Sequence, residues 1–339
     1  MTYSYRAYGL SWLSRTPVPG LLAEPDPSDP PDIVLEIGCE PQEWVLRSRS
    51  LPSSVRHSRP TSAEVLSPAF SLTVRGVEEF FELEYCDGAR FVTDGSGKHV
   101  WGTCQAPLTM EDLAVYLRGP IMGFVLRRRG ITSLHASAVH IHGRAIVLCG
   151  ATETGKSTTA AALALRGTPV LCDDITALRE HNRGFQVEPG YPRVCLWPDV
   201  VEDLLGAADT LPRLTPGWEK CFLPLDGSNT KFERQRRPLG AVYLLASRAR
   251  EADAPRIEEV SAREALLGLV QNTYMNWVLD QGQRAAEFDM LTKVVTQVPV
   301  RRIVPHADPE RVGALCDLII ADVERLASPR DPAALVLGR

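Results

Sequence analysis

The sequence lacks an excess of positive charge, a long apolar run and an apolar opening segment. Its 339 residues carry a formal net charge of −5, with 44% hydrophobic and 23% charged residues. The most apolar long stretch, Leu113–Leu126, is interrupted by Arg118 and Pro120 and is too short to span a bilayer. Residues 1–6 have no apolar core behind them, unlike a signal peptide. The composition argues against nucleic-acid and membrane partners and predicts a cytoplasmic globular protein.

Cysteine is present but never in a paired motif. None of the eight cysteines forms Cys-x-x-Cys, and they are spread along the whole chain. That spacing argues against a zinc site or a disulfide framework. Because Cys149 and Cys172 lie inside apolar strand candidates, we expect buried free thiols in a reducing compartment.

Residues 1–106 are predicted to form a mainly β N-terminal domain. Two stretches, 17–31 with six prolines and 46–68 rich in Ser, Arg and Pro, are predicted loops. Short β-type stretches lie around them, separated by turn signals such as Asp94-Gly95. The predicted strands are Ile33–Ile37, Ala69–Val74, Phe80–Tyr85, Arg90–Thr93 and His99–Gly102.

Residues 107–130 are predicted to form a connecting helix. Thr109 with Asp112 three residues on resembles a capping box, and Pro120 predicts a bend. The run Arg127–Gly130 places cations in the last turn and glycine after it, which is typical of a helix C-terminus.

From residue 131 strands and helices alternate, which predicts an α/β domain over residues 131–327. Residues 328–339 are predicted to be a frayed tail. The predicted elements are strand Arg144–Cys149, helix Lys156–Arg166, strand Pro169–Cys172, helix Pro198–Leu205, strand Leu239–Ala246, helices Ala262–Trp277 and Arg284–Val298, strand Val300–Val304 and helix Asp308–Leu326.

The most informative motif is G-x-x-x-x-G-K-S over residues 150–157, between an apolar run and an alanine-rich segment. This is the arrangement of a P-loop, in which glycines and a helix N-terminus direct backbone N–H groups at phosphate oxygens. Lys156 can reach the β- and γ-phosphates, and the Ser157 hydroxyl can hold Mg²⁺. The predicted nucleotide-binding residues are Gly150, Ala151, Thr152, Glu153, Thr154, Gly155, Lys156, Ser157 and Thr158.

Two acidic residues and a histidine flank this motif. Asp173 and Asp174 follow an apolar strand, with room for one helix and one return strand after Lys156. A metal–nucleotide site needs one carboxylate near Mg²⁺ and can use another as the base for an attacking hydroxyl. Which aspartate takes which role stays open. His135, in the segment just before the P-loop strand, is a further candidate.

Together these motifs resemble the catalytic domain of the HPr kinase/phosphorylase family, which has a histidine-containing strand, a P-loop and an Asp-Asp pair at similar spacing. The closer resemblance is to the HPr-kinase-related serine kinases of peptide natural-product clusters, lasso-peptide clusters included. It is carried by Tyr8-Gly-Leu10, Arg129-Gly130, Pro189-Gly-Tyr-Pro192 and Leu196-Trp-Pro-Asp199. The resemblance implies a P-loop kinase domain related in fold to phosphoenolpyruvate carboxykinase, preceded by the β domain.

The resemblance implies a catalytic role for each acidic and basic motif residue. Lys156 and Ser157 would hold phosphate and metal, and Asp173 would be the base. Asp174 would help with the metal or the acceptor, although the two aspartates can exchange roles. His135 would lie near the transferred phosphate.

Two further cations follow the aspartates. Arg193 and Lys220 would stabilise charge in phosphoryl transfer, with ordinary surface cations as the alternative. Because members of the family assemble as oligomers, the resemblance also implies a homo-oligomer.

The resemblance predicts ATP and Mg²⁺ as cofactors and a peptide with an acceptor serine as substrate. The most concrete acceptor is the C-terminal serine of a lasso-type precursor. Two departures bear on this: Glu153 stands where the loop usually has glycine, and the Glu-x-Arg-Gly signature is absent, which leaves Glu188 as a metal-ligand candidate. HPr is therefore not the expected substrate. The alternatives are a kinase of a small hydroxylated metabolite and a non-catalytic nucleotide-binding regulator.

Overall fold

Two large β-sheets and a bent helical segment organise the chain. The structure, a computed structural model, describes residues 1–24, 30–50, 55–60, 71–77, 80–227 and 229–327. Over these ranges the protein is a mixed α/β fold, as predicted. None of the helices in this part of the chain is both long and apolar enough to cross a bilayer. The predicted tail at 328–339 lies outside the described residues, and the division into domains stays a prediction.

The first sheet has eight strands in the order β1-β2-β3-β8-β7-β6-β5-β4. Its β2–β3 and β3–β8 pairs are parallel, and its other pairs are antiparallel. The strands are β1 Tyr3–Ala7, β2 Leu10–Ser14, β3 Ile33–Ile37, β4 Val55–Pro60, β5 Ser71–Val77, β6 Phe80–Tyr85, β7 Arg90–Asp94 and β8 His99–Thr103.

The predicted loop over 46–68 was wrong in two places. Helix α1, Gln42–Ser50, reaches into it, and strand β4 follows within it. β4 is the edge strand of the sheet, and an edge tolerates the charged residues and proline that hid its strand character. The predicted strand Ala69–Val74 begins at Ser71 as far as the chain is described.

The turn between β1 and β2 joins this sheet to the second one. Tyr8 and Gly9 both have positive φ, at 54° and 74°. The Tyr8 side chain is fully buried, and its backbone N–H donates to the Pro189 carbonyl at 2.7 Å. A Cβ on Gly9 would lie 2.7 Å from the Glu188 carboxyl carbon, so only glycine fits at this contact.

The connecting helix is present and bent where proline predicts. It consists of α2 (Met110–Tyr116), one wide turn (Leu117–Ile121) and α3 (Met122–Arg128). The capping box is confirmed, because the Thr109 backbone N–H donates to Asp112 at 2.8 Å. This segment shares one hydrophobic core with both sheets, so it fixes their relative position.

The second sheet runs β12-β10-β11-β17-β14-β13-β9, with β19 beside β17 and β18 beside β19. Its strands are β9 Thr132–Leu134, β10 Ala136–Ile141, β11 Arg144–Gly150, β12 Val170–Cys172, β13 Thr176–His181, β14 Gly184–Glu188, β17 Arg237–Leu245, β18 Arg256–Glu259 and β19 Val300–Val304. Outside this sheet, β15, Arg193–Leu196, pairs antiparallel with β16, Cys221–Pro224. The helices are α4 Lys156–Leu165, α5 Pro198–Leu205, α6 Ala262–Gln271, α7 Gln281–Gln297 and α8 Val312–Ala327.

Three helix boundaries and two antiparallel strand pairs differ from prediction. The helix predicted to reach Trp277 ends at Gln271, and the helix predicted from Arg284 begins at Gln281. The last helix begins at Val312 after a short 3₁₀ turn. The β13–β14 hairpin escaped notice because Asn182 and Arg183 make its turn with positive φ, a conformation in which glycine is expected. The antiparallel pair β15–β16 was missed as well, because α5 separates its two strands in the sequence.

The topology explains where a site can form. β11 runs parallel to β17, β17 runs parallel to β19, and β12 has the same direction because both it and β11 are antiparallel to β10. The carboxyl ends of these strands therefore meet at one edge of the sheet, where α4 begins. Ligands of open α/β sheets bind at such an edge.

Candidate active site

Glycines shape the loop between β11 and α4. A Cβ on Gly150 would lie 2.7 Å from the carbonyl oxygen of Leu245 in β17, so a larger residue would push the strands apart. Gly155, with φ of +99°, is the N-cap of α4. The strand, loop and helix thus follow the order that the G-x-x-x-x-G-K-S motif predicts.

Glu153 adopts a glycine-like backbone conformation within this loop. Its φ is +68°, in the left-handed region that glycine adopts at no steric cost, and the residue is exposed. This geometry gives a physical reason for the glycine usual at that position. It also leaves a negative charge on the exposed side of the loop.

The Lys156 ammonium is folded onto the loop itself. The residue is 7% exposed, and its Nζ donates to the carbonyl oxygens of Gly150 at 2.9 Å and Ala151 at 2.8 Å. Burial lowers the pKa of Lys156, while the charges of Asp174 and Asp173 oppose that shift. The charges of both aspartates therefore act on the Lys156 ammonium.

Asp173 directly follows β12 and is held by three hydrogen bonds. Its Oδ1 accepts from Ser137 Oγ at 2.6 Å and from Ser157 Oγ at 2.8 Å. Its Oδ2 accepts from the backbone N–H of Cys195 at 2.9 Å. The residue is only 2% exposed, so these bonds fix the carboxylate against the start of α4.

Asp174 is the more accessible carboxylate. Its side chain is 37% exposed, its φ is +69°, and its Oδ1 lies 3.3 Å from His135 Nε2. Burial alone would raise the pKa of Asp174, but the hydrogen bond and charge of His135, with the charges of Lys220 and Lys156, lower it to about 2. The surrounding cations therefore keep the partly exposed Asp174 carboxylate ionised.

Lys220, predicted as a charge stabiliser or a surface cation, lies near Asp174 and Lys156. Its Nζ is 5.5 Å from the centroid of the Trp197 ring, and its charge acts on both Asp174 and Lys156. The Tyr274 ring packs edge-on against His135 with centroids 6.1 Å apart. Tyr274 thereby helps to orient the histidine beside Asp174.

Arg193 lies on β15, two residues before Cys195, and is accompanied by a second arginine. Its guanidinium stacks on Phe222 with the Cζ 4.0 Å from the ring centroid. Burial and the neighbouring charge of Arg118 lower the pKa of Arg193 to about 10. Arg118 comes from the bent helical segment, and the sequence analysis had noted it only as an interruption of an apolar run.

Glu188 is not brought together with the other candidates. Its carboxylate lies 3.4 Å from Arg179 and 3.8 Å from Arg236, in a cavity of about 390 Å³ that Gly9 and Arg129 also line. No described contact links Glu188 to Ser157 or Asp174. Among the described residues, no group of three or more His, Cys, Asp or Glu side chains is arranged to hold a metal.

A groove lies on the other side of the loop, at the carboxyl ends of β17 and β19. Gly155 and Thr158 line it from α4, and Arg248 and His306 line it from the loops after the strands. It is adjacent to the loop and is continuous with the start of α4.

The sequence analysis missed several residues that complete the site. Ser137 had a signal, because it lies two residues after His135 in a motif already singled out. The backbone N–H of Cys195 and the ring of Tyr274 had none, since they reach the site only through the fold. Arg118 carried no signal because its partners depend on long-range packing.

Comparison with known proteins finds likeness in structure and not in sequence. No protein-family model matches the chain, and no curated protein matches it significantly. Among the solved structures that it matches is the HPr(Ser) kinase/phosphatase from Coxiella burnetii. The two chains are 14% identical, the match covers 58% of this chain and 99% of that one, and the TM-score is 0.31. A TM-score of 0.31 at 14% identity carries no argument about chemistry. The HPr-kinase-like type of domain therefore stays a prediction, and the site is interpreted from its own residues.

Proposed function

We propose that the protein is an ATP-dependent kinase that phosphorylates a serine hydroxyl of a peptide. The observation that carries the proposal is the 2.8 Å hydrogen bond between Ser157, at the start of α4, and Asp173, at the end of β12. It joins the predicted phosphate loop to the predicted catalytic acids at one edge of the sheet. The motif resemblance in the sequence points to the same chemistry.

The loop and its groove suit a nucleoside triphosphate. The N-terminus of α4 and the Lys156 ammonium supply donors and positive charge for the phosphates. The groove beside Thr158, with Arg248 at its rim, lies where the nucleoside would extend from them. On binding, Lys156 would exchange its loop carbonyls for phosphate oxygens.

The oxygen donors beside the loop suit Mg²⁺. This ion is usually held by one or two carboxylates together with phosphate oxygens. Ser157 and Asp173 already lie together and would hold it, which frees Asp174 for the acceptor. Bound there, Mg²⁺ would offset negative charge on the phosphates.

We assign Asp174 to the acceptor hydroxyl as the base. The sequence analysis first gave that role to Asp173. Asp173 is 2% exposed and engaged by three donors, whereas the Asp174 side chain is 37% exposed. Asp174 would accept the serine hydroxyl proton as the serine oxygen bonds to the γ-phosphorus. The bond from that phosphorus to the β–γ bridging oxygen breaks, and its electron pair leaves with ADP.

His135 and Lys220 would act through charge. Both lower the pKa of Asp174, so this carboxylate stays ionised near neutral pH and can orient the hydroxyl. A loose transition state needs little proton transfer before the oxygen–phosphorus bond forms. A weakly basic carboxylate is adequate for that task.

The test is a transfer assay with ATP, Mg²⁺ and a panel of peptides that end in serine, analysed by mass spectrometry. We expect a gain of one phosphate, reduced about 10³-fold or more in Lys156→Ala and in Asp174→Asn. Lys293→Ala, which breaks only an exposed pair with Glu180, is the matched control and should keep full activity. A fluorescent nucleotide analogue reports binding separately.

Two other outcomes would replace the proposal. Transfer to free hydroxylated compounds but to no peptide would indicate a metabolite kinase. Nucleotide binding without any transfer, with no effect of Asp174→Asn on the bound state, would indicate a regulator, the alternative that the exposed Glu153 charge favours.

A further inference from the structure

Two arginines, Arg118 and Arg193, lie side by side next to the candidate active site; we call them the arginine pair. A single point, the position that a Cβ on Gly20 would take, lies 2.6 Å from Arg193 Nη2 and 2.9 Å from Arg118 Nη1. Gly20 has φ of +80°, and a side chain there would clash with both guanidiniums. The two guanidiniums therefore lie next to each other, packed against the backbone of Gly20.

The arginine pair has no anionic partner of its own. Arg118 is 3% exposed, donates through Nε to the Ala114 carbonyl and covers the Tyr191 ring at 5.4 Å. Throughout the described ranges, neither guanidinium forms an ion pair with a carboxylate. Asp226 acts on Arg193 only as a weak, more distant charge.

Buried like charges without a counter-ion are unfavourable, so the pair needs an explanation. Other arginines with little exposure have carboxylate partners: Arg127 contacts Glu287, and Arg301 contacts Asp322. Two adjacent guanidiniums can bind a carboxylate or phosphate strongly, because each offers parallel N–H donors to its oxygens. An anion from outside the chain would complete the arrangement.

The location of the arginine pair indicates which anion. Arg193 and Cys195 are two residues apart on β15, so their side chains share one face of the strand, about 7 Å apart along it. The Cys195 N–H holds Asp173, and Tyr191 lies under Arg118 and within the influence of Asp174 and Asp173. The pair thus lies near the aspartates, linked to Asp173 through β15 and to both aspartates through Tyr191.

We propose that the arginine pair binds a carboxylate of the acceptor peptide, the terminal α-carboxylate next to the accepting serine. The inference rests on the proposed kinase function for the identity of the acceptor. A serine whose hydroxyl lies at Asp174 would then place the carboxylate of the same residue at Arg118 and Arg193. A neutral amide in its place would leave both cations without a partner.

The test measures binding rather than catalysis, so it does not depend on phosphoryl transfer. The probe is a fluorescein-labelled pentapeptide of alanine, which has no acceptor hydroxyl, as the free acid and as the terminal amide. Fluorescence anisotropy of the wild-type protein, with an ATP analogue and Mg²⁺ present, should show the acid binding about tenfold or more tighter. In Arg193→Gln the acid should weaken to the level of the amide, while amide binding stays unchanged.

Further arms separate the remaining explanations. An amidated peptide whose last residue is aspartate tests whether a side-chain carboxylate can occupy the site. If it binds as tightly as the free-acid peptide, the site accepts either carboxylate. Arg166→Gln, an exposed arginine paired with Asp317, is the control and should keep the acid preference. Arg118→Gln, checked for cooperative unfolding, should reproduce the Arg193→Gln result.

Several outcomes would overturn the inference. Equal binding of acid and amide by the wild-type protein would do so, as would no binding of either form. Loss of nucleotide-analogue binding in Arg193→Gln would show that the pair serves the nucleotide instead. A kinase assay with serine peptides then separates the two proposals: transfer without acid preference removes only the carboxylate site, and acid preference without transfer removes only the kinase.

Discussion

Arg118 and Arg127 are each 3% exposed and lie nine residues apart on the same bent helical segment, yet they have different surroundings. Arg127 faces Glu287 of α7, and that contact is an ion pair between two largely buried groups. Arg118 faces Arg193 instead, next to the aspartates at the sheet edge. Arg127 thus has its counter-ion within the fold, whereas we infer that Arg118 binds an anion from outside the chain.

The same contrast holds between the two sheets. In the first sheet, the Glu82 carboxylate is 1% exposed and contacts Arg90, which also pairs with Glu40 at 2.7 Å. At the carboxyl edge of the second sheet, the Lys156 ammonium donates to loop carbonyls rather than to a carboxylate. A buried charge that loses its internal partner destabilises the protein strongly, and buried charges without an internal carboxylate partner are candidates for ligand binding.

The largest expected effect comes from breaking the internally balanced pair. Arg127→Leu removes one partner of a buried ion pair and leaves Glu287 without its cation. We expect the free energy of unfolding to fall by about 3–5 kcal/mol, because an uncompensated buried charge is strongly destabilising. Urea denaturation followed by circular dichroism measures it, with an unchanged m-value as the sign of two-state unfolding.

Arg118→Leu is the matched variant, with the same substitution, exposure and helical segment. It removes one of two adjacent like charges, together with a hydrogen bond to Ala114 that is worth about 1 kcal/mol. We therefore expect the free energy of unfolding to change by about 1 kcal/mol or less, in either direction. A loss as large as that of Arg127→Leu would mean that Arg118 is structural and would remove the basis of the arginine-pair inference.

The next prediction concerns the charge of Glu153 in the loop between β11 and α4. Glu153→Gly removes a carboxylate beside the expected phosphates and relieves a positive φ of +68°. We expect nucleotide affinity to rise by about three- to tenfold at low salt, with a smaller gain at high salt because the charges are screened. Isothermal titration calorimetry with an ATP analogue and Mg²⁺ measures it at two ionic strengths.

Glu153→Gln separates charge from backbone conformation. It should reproduce most of the affinity gain, since it removes the charge and keeps the side chain. If only the glycine variant gains affinity, the backbone conformation and not the charge limits binding. If neither variant changes affinity, Glu153 points away from the bound nucleotide.

The sequence predicted the parts of this site that are local in the chain. Gly150, Gly155 and Lys156 belong to one short motif, and the gap from Lys156 to Asp173 is just long enough for one helix and one return strand. The strand–loop–helix and the proximity of the aspartates followed from that spacing. The fold class was predictable for the same reason, because strands and helices alternate from residue 131 onward.

The rest could not be predicted because it depends on contacts between distant segments. Nothing local distinguishes Arg118 from Arg127; the difference lies in Glu287, 160 positions beyond Arg127, and in a glycine near the start of the chain. The short strands β13 to β16 contain polar residues; β13 and β14 join through Asn182 and Arg183, and β15 and β16 are separated in sequence by α5. The different roles that we propose for Asp173 and Asp174 rest on their different burial, which the sequence of two identical neighbours does not reveal.

The smallest expected effect is the pH dependence that Asp174 contributes to stability. Its folded-state pKa of about 2 lies below the ordinary value of about 3.9, so its stabilising contribution is complete above about pH 4 and is lost as the pH falls toward 2. Because the side chain is 37% exposed, solvent screening keeps this contribution below about 1 kcal/mol. The difference in unfolding free energy between wild type and Asp174→Asn should shrink across that range.

His135→Gln sharpens the same measurement. The hydrogen bond and charge of His135 do most to lower the pKa of Asp174, so without them this pKa should rise. The stability lost on acidification would then appear at higher pH than in the wild-type protein. An unchanged pH profile would mean that Lys220 and Lys156 alone hold Asp174 ionised, and His135 would then have to act on the transferred phosphate rather than through the aspartate.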